Sequence, residues 1–144
     1  MGCQNLGLDV LPIISIFHIF LGEKIKIENI GRSKYFTAID GCRITELYGI
    51  PSCGLEQVSL AYAILPKGKK TDEHLHKFLE IYVIVKGKGI MHINEEKKMV
   101  IEGDSILIPK NSNHFIENKG NKTLEFYCIC VPSFTEKGTA MKKK

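Results

Sequence analysis

The run Gly68–Gly87 reads GKKTDEHLHKFLEIYVIVKG, and the fold follows from it. His74 and His76 stand two apart, so on an extended chain both imidazoles project to one face, about 6–7 Å apart along the strand. That spacing lets two ring nitrogens converge on a single ion about 2 Å from each. Glu80 comes four residues after His76 and opens the apolar run Ile81-Tyr82-Val83-Ile84-Val85. A carboxylate at the head of a buried strand needs a partner, because an unpaired buried charge is costly. A divalent metal is such a partner.

Outward from this run, from Lys24 on, the pattern has period two and turn residues fall at short intervals, which is the signature of many short strands. Strands are predicted at 24–29, 35–39, 43–48, 57–65, 80–85, 89–93, 98–101, 105–108, 114–118 and 123–131. Between them stand turn formers such as Asp40-Gly41, Pro51-Ser52, Pro66-Lys67-Gly68, Gly103-Asp104 and Lys119-Gly120-Asn121. No helical periodicity runs beyond a turn or two after Gly22. Many strands joined by hairpin links imply a sandwich or a closed barrel, since an open sheet would expose its edges.

A second run, Gly103–Asn118, reads GDSILIPKNSNHFIEN and supplies His114 from a later strand. His74, His76, Glu80 and His114 together form a metal-site pattern rather than a packing one. The first run resembles the first cupin motif, G-x5-H-x-H-x3-E-x6-G, matching it at Gly68, His74, His76, Glu80 and Gly87. The second resembles the second cupin motif, G-x5-P-x-G-x2-H-x3-N, at Gly103, Pro109, His114 and Asn118, with Asn111 where the family usually has Gly. Asn is the residue next most tolerant of positive φ, so the turn is retained. Flanking strands extend the likeness over roughly 23–132. The resemblance implies an all-β fold, the cupin double-stranded β-helix or jelly-roll barrel, with His74, His76, Glu80 and His114 as metal ligands. Spacing and chemistry had reached the same four. Asn118 is expected to fix the turn and backbone near the second motif, as its counterpart in the family does.

Three neutral imidazoles and one carboxylate suit one divalent transition metal, Fe, Mn, Ni or Zn, and not Ca or Mg, which prefer oxygen ligands. On a six-coordinate ion, four protein ligands leave two positions for substrate, water or O2, so the ion would serve as Lewis acid or redox centre. Tyr82, two after Glu80, is expected to share its inward face and is the candidate catalytic residue, as an acid or hydrogen-bond donor. Tyr62 lies on the Val58-Leu60-Tyr62-Ile64 face, which the sequence does not orient. His92 is of the right type for a general base, but nothing in the sequence brings it near the metal. The favoured reading is a metal-dependent enzyme acting on a small organic molecule, of the non-haem oxygenase type. A sugar or sugar-phosphate isomerase is one alternative. It wants cations at the pocket mouth, whereas the only arginines, Arg32 and Arg43, lie outside both motifs. A non-catalytic metal- or metabolite-binding module is the other.

The chain has 144 residues, 44% hydrophobic and 25% charged, which suits one soluble globular domain and neither a disordered nor a collagen-like one. The formal charge of +4 is carried largely by Lys142, Lys143 and Lys144. There is no basic stripe with interleaved aromatics, and no nucleic-acid partner is expected. Leu11–Leu21, LPIISIFHIFL, is the most apolar stretch. It falls far short of the roughly 20 residues that span a bilayer and has no Lys or Arg upstream to make a secretory signal. Met1-Gly2-Cys3 is followed by Leu6 where a myristoylation site wants Ser or Thr. No membrane partner and a cytoplasmic location are expected. Cys3, Cys42, Cys53, Cys128 and Cys130 are odd in number and show no C-x2-C spacing. They read as reduced thiols, with Cys128 and Cys130 on one face of a strand. The chain divides into an apolar extension over 1–22, a cupin domain over 23–134 and a Lys-rich tail over 135–144. Its expected partners are a small-molecule ligand or substrate and a second copy in a homodimer, because exposed strand edges need covering.

Overall fold

Along Leu79–Lys86 every second side chain from Glu80 to Ile84 is buried, the two-residue period of a strand with one face on a core. The same alternation recurs through residues 24–143, the part of the chain that the computed structural model describes. The apolar extension over 1–22, with Cys3 and His18, lies outside the described residues. In chain order the elements are β1 (Phe36–Thr37), β2 (Arg43–Tyr48), a short helix α1 (Ile50–Cys53), β3 (Ser59–Leu65), β4 (His74–His76), β5 (Leu79–Lys86) and β6 (Lys88–Ile93). They continue with β7 (Glu96–Ile101), β8 (Ser105–Ile108), β9 (His114–Glu117), β10 (Leu124–Val131) and β11 (Thr139–Met141).

The strands form two sheets, one ordered β1-β2-β3-β10-β5-β8 and the other β11-β4-β9-β6-β7. All pairings are antiparallel. Both sheets contribute to one core: Ala63, Leu65, Ile84, Leu124 and Phe126 from the first, Met91, Val100 and Ile116 from the second. Full burial of each large apolar side chain contributes about 1.5–3 kcal/mol. The result is the all-β double-sheet architecture expected from the strand pattern, with almost no helix.

Special backbone positions explain the glycines of the motifs. Gly87 has φ +82°, and a Cβ there would sit 2.6 Å from the Thr123 carbonyl oxygen where β10 begins. Asn111 adopts φ +62°, so Asn does take the left-handed turn position where the motif usually carries Gly. Asn118 donates through Nδ2 to the Leu65 and Lys122 carbonyls, each at 2.9 Å, and accepts from the Gly120 N–H at 3.0 Å. It ties the end of β3 to the turn leading into β10.

Three local expectations are corrected. Residues 24–29 form no strand; Ile25 and Ile27 are exposed, because alternation makes a strand only where a neighbouring strand pairs with it. Pro51-Ser52, read as a turn, lies in α1, where Pro fits the first turn and Gly54 ends the helix in the left-handed conformation. The Lys-rich end is not a solvated tail throughout, for β11 pairs antiparallel with β4, placing Thr139 opposite His76.

Candidate metal centre

The histidine pair and Glu80 lie on different sheets. His74 and His76 bracket the three-residue β4 in the second sheet, while Glu80 is on β5 in the first. His114 opens β9 in register with His74, with ring centroids 4.3 Å apart. The sheets thus bring the four expected residues together, with one ligand atom of each within 4.8 Å of the others. All four are buried. Glu80 Oε2 lies 3.2 Å from His76 Nε2 and 3.1 Å from His114 Nε2.

The outer nitrogen of every ring is already engaged. His74 Nδ1 is 2.7 Å from the Asp72 carbonyl and His114 Nδ1 is 2.9 Å from the Ser112 carbonyl. A carbonyl can only accept, so both Nδ1 atoms carry the proton. His76 Nδ1 is 2.8 Å from Thr139 Oγ1, whose own hydrogen is donated to the Thr135 carbonyl at 2.9 Å. Each ring therefore turns an Nε2 lone pair inward, the arrangement by which surrounding partners fix the tautomer of metal-binding histidines. Glu80 Oε1 receives the Cys130 thiol at 3.6 Å, leaving Oε2 toward the rings. Three imine nitrogens and a carboxylate oxygen, all acceptors, converge with no donor among them. A divalent cation fits that set.

Burial sets the protonation of the surroundings. His74 is pushed down to about 4, first by burial and then by the neighbouring His114. Burial pushes the Cys42 thiol up to about 12 and raises Cys128 and Cys130 as well. These thiols stay protonated, which is not the nucleophilic form. Cys128 and Cys130 do share a face, and both are free.

His74, His76 and Glu80 open onto a cavity of about 360 Å³. Tyr82 lines it too, inward like Glu80, with its ring centroid 6.2 Å from that of His114. Burial raises its hydroxyl well above the ordinary value, which suits a donor and not a base. Tyr62 faces away: its hydroxyl donates to Glu125, and its ring meets Tyr127 edge-on at 4.9 Å. His92 lies outside the cavity, stacked on Phe115 at 4.1 Å with Nε2 2.8 Å from Glu117 Oε1. Sequence reasoning missed Thr139, in the presumed tail, and the cavity carboxylates Asp40, Glu46 and Glu136. The doublet Asp40-Gly41 reads only as a turn, and no spacing signal points to the others.

Among the described residues no helix is long and apolar enough to cross a membrane. A sequence profile described as the cupin domain matches residues 61–130. An uncharacterized protein of Methanocaldococcus jannaschii is 44% identical over 87 residues, covering 60% of this chain and 69% of that one. An oxalate-binding protein of Thermotoga maritima is 35% identical over 68 residues, covering 46% of this chain and 56% of the relative. In structure the chain is similar to a Klebsiella pneumoniae protein with a double-stranded β-helix domain: TM-score 0.68, 13% identity, 84% of this chain and 100% of the other. The profile takes in His74, His76, Glu80 and His114, and the sheets that carry them have the same architecture as that domain; the chain belongs to the cupin family.

Proposed function

We propose that the protein holds one divalent transition metal (Fe, Mn, Ni or Zn) on His74, His76, Glu80 and His114 and acts on a small organic molecule bound in the adjoining cavity. The reading rests on one observation: four acceptor atoms, each fixed from behind, converge at the wall of a chamber large enough for a ligand. A bound metal of this kind supplies a Lewis acid or a redox couple. The protein's own part is to orient the site. The Asp72 and Ser112 carbonyls and the Thr139 hydroxyl lock the ring directions. Phe126 and Tyr82, both buried, line the cavity beside them, and on this reading the Tyr82 hydroxyl donates a hydrogen bond to a substrate atom.

Of the reactions such a site can run, an oxygenase is the reading preferred here. Its test is O2 uptake by Fe(II)-reconstituted protein across a panel of small organic molecules. Consumption that requires the organic molecule and disappears in His76→Ala supports the oxygenase. Lack of turnover with every metal leaves the second reading, a non-catalytic binding module, which the name of the oxalate-binding relative favours. An isomerase of sugar phosphates is disfavoured, because no Lys or Arg lines the cavity among the described residues. The same proposal includes a cytoplasmic setting, with which the free buried thiols agree, and pairing of two copies.

A further inference from the structure

The cavity beside the metal centre has a charge pattern that selects its ligand. Its standing as a ligand site comes from His74, His76 and Glu80, only 2%, 4% and 4% exposed, which open onto it. Around them the walls are apolar, with the rings of Phe36, Phe126 and Phe134 among them. The remaining charged side chains of the lining are all acidic: Asp40 on the β1–β2 turn, Glu46 on β2 and Glu136 between β10 and β11. Among the described residues none of the three has an ion-pair partner. Asp40 Oδ1 accepts only from the Cys42 N–H at 3.0 Å, and Glu46 Oε1 from the Ser52 N–H at 3.1 Å. The nearest cation is Lys34, which shares a neighbouring hollow with Glu46 but forms no ion pair with it and does not line the cavity. Arg43 is engaged elsewhere, 5.0 Å over the Tyr35 ring.

An anion entering this chamber would lose its hydration without meeting a cationic side chain, and would face three carboxylates. A divalent ion held by the single carboxylate Glu80 keeps one net positive charge, and three further carboxylates outweigh it. A protonated amine meets the opposite situation, with carboxylates to pair with and aromatic faces that attract a cation. We propose that the cavity takes a small organic cation, a protonated amine on an apolar body, and discriminates against carboxylates and phosphates. The proposal rests on the same cavity as the functional reading but not on the metal. Oxalate, named for the Thermotoga relative, is on this view a poor ligand here.

The test is calorimetric titration of the full chain at pH 7, both metal-free and metal-loaded, with benzylamine, benzyl alcohol, benzoate and oxalate. Benzylamine is expected to bind at least tenfold more tightly than benzoate or oxalate and more tightly than benzyl alcohol, in both forms. In Asp40→Asn/Glu46→Gln the preference for the amine over the alcohol should fall at least fivefold, with the far-ultraviolet circular dichroism unchanged. If the double variant does not fold, each single variant should show a smaller loss. Benzoate or oxalate binding as well as the amine overturns the proposal. So does an amine that binds no better than the alcohol, or only when metal is present, or not at all. Failure to bind metal while the amine preference persists would instead remove the metal reading and leave this one standing.

Discussion

At the scale of single residues, the centre depends on what stands behind each imidazole. His74 and His114 are oriented by carbonyls two residues upstream, Asp72 and Ser112, so their geometry is local to the motifs. His76 instead depends on Thr139, 63 residues away along the chain. Thr139→Val keeps the shape and removes the acceptor; it should weaken metal binding by about 10- to 100-fold in a chelator competition, as loss of such supporting partners does. Thr139→Ser should restore most of the affinity, and equal weakening in both variants would deny the hydroxyl this role. The four ligands were legible in the sequence because their spacing is the chemistry. Thr139, Asp40, Glu46 and Glu136 were not, since one threonine and three scattered carboxylates look like solvated surface until the chain is folded. Protonation gives a second test. In metal-free protein His74 is held neutral down to about pH 4, whereas an unfolded histidine takes its proton near 6.5. The unfolded state thus binds the extra proton between those values, so this contribution is full above about pH 6.5 and declines as pH falls toward 4. Asp40, raised by burial, works in the opposite sense, so the comparison should be with His74→Asn. The wild-type Tm should drop more steeply from pH 7 to 4.5 than that of the variant; parallel slopes would contradict the assignment.

At the scale of elements, most strands were readable because one face is apolar and the breakers between them are Gly, Pro, Asn and Asp. The errors fall where pairing, not pattern, decides. Residues 24–29 alternate well yet form no strand. By contrast β11 has only Thr139–Met141 and no apolar period to announce it, and is a strand because β4 offers it an edge. Its position makes it part of the site. Deleting 135–144 leaves the core cluster untouched but removes Thr139 and uncovers β4. Chain shortened in this way should keep its β-sheet circular dichroism while losing metal affinity by at least as much as Thr139→Val. An unchanged affinity would mean that β11 is a bystander.

For the whole molecule, the ligands link the two sheets: Glu80 comes from one, the three histidines from the other. Metal binding should therefore raise the Tm, by mass action on the folded state alone. Assembly is a separate matter of edges. Strands β7 and β8 each end one of the two sheets and expose Met99 at 69%, Ile101 at 53% and Leu107 at 58%. Large apolar side chains on unpaired edges call for cover. Sedimentation equilibrium should find a homodimer, converted to monomer by Met99→Glu/Leu107→Glu with metal binding intact; a wild-type monomer at tens of micromolar would refute the pairing. The central claim is the metal itself, and elemental analysis of untagged protein purified under reducing conditions tests it most directly. The expected result is one transition-metal ion bound or bindable per chain, lost in a His114→Ala variant that remains folded. Wild-type protein that neither carries nor takes up any transition metal would contradict the account.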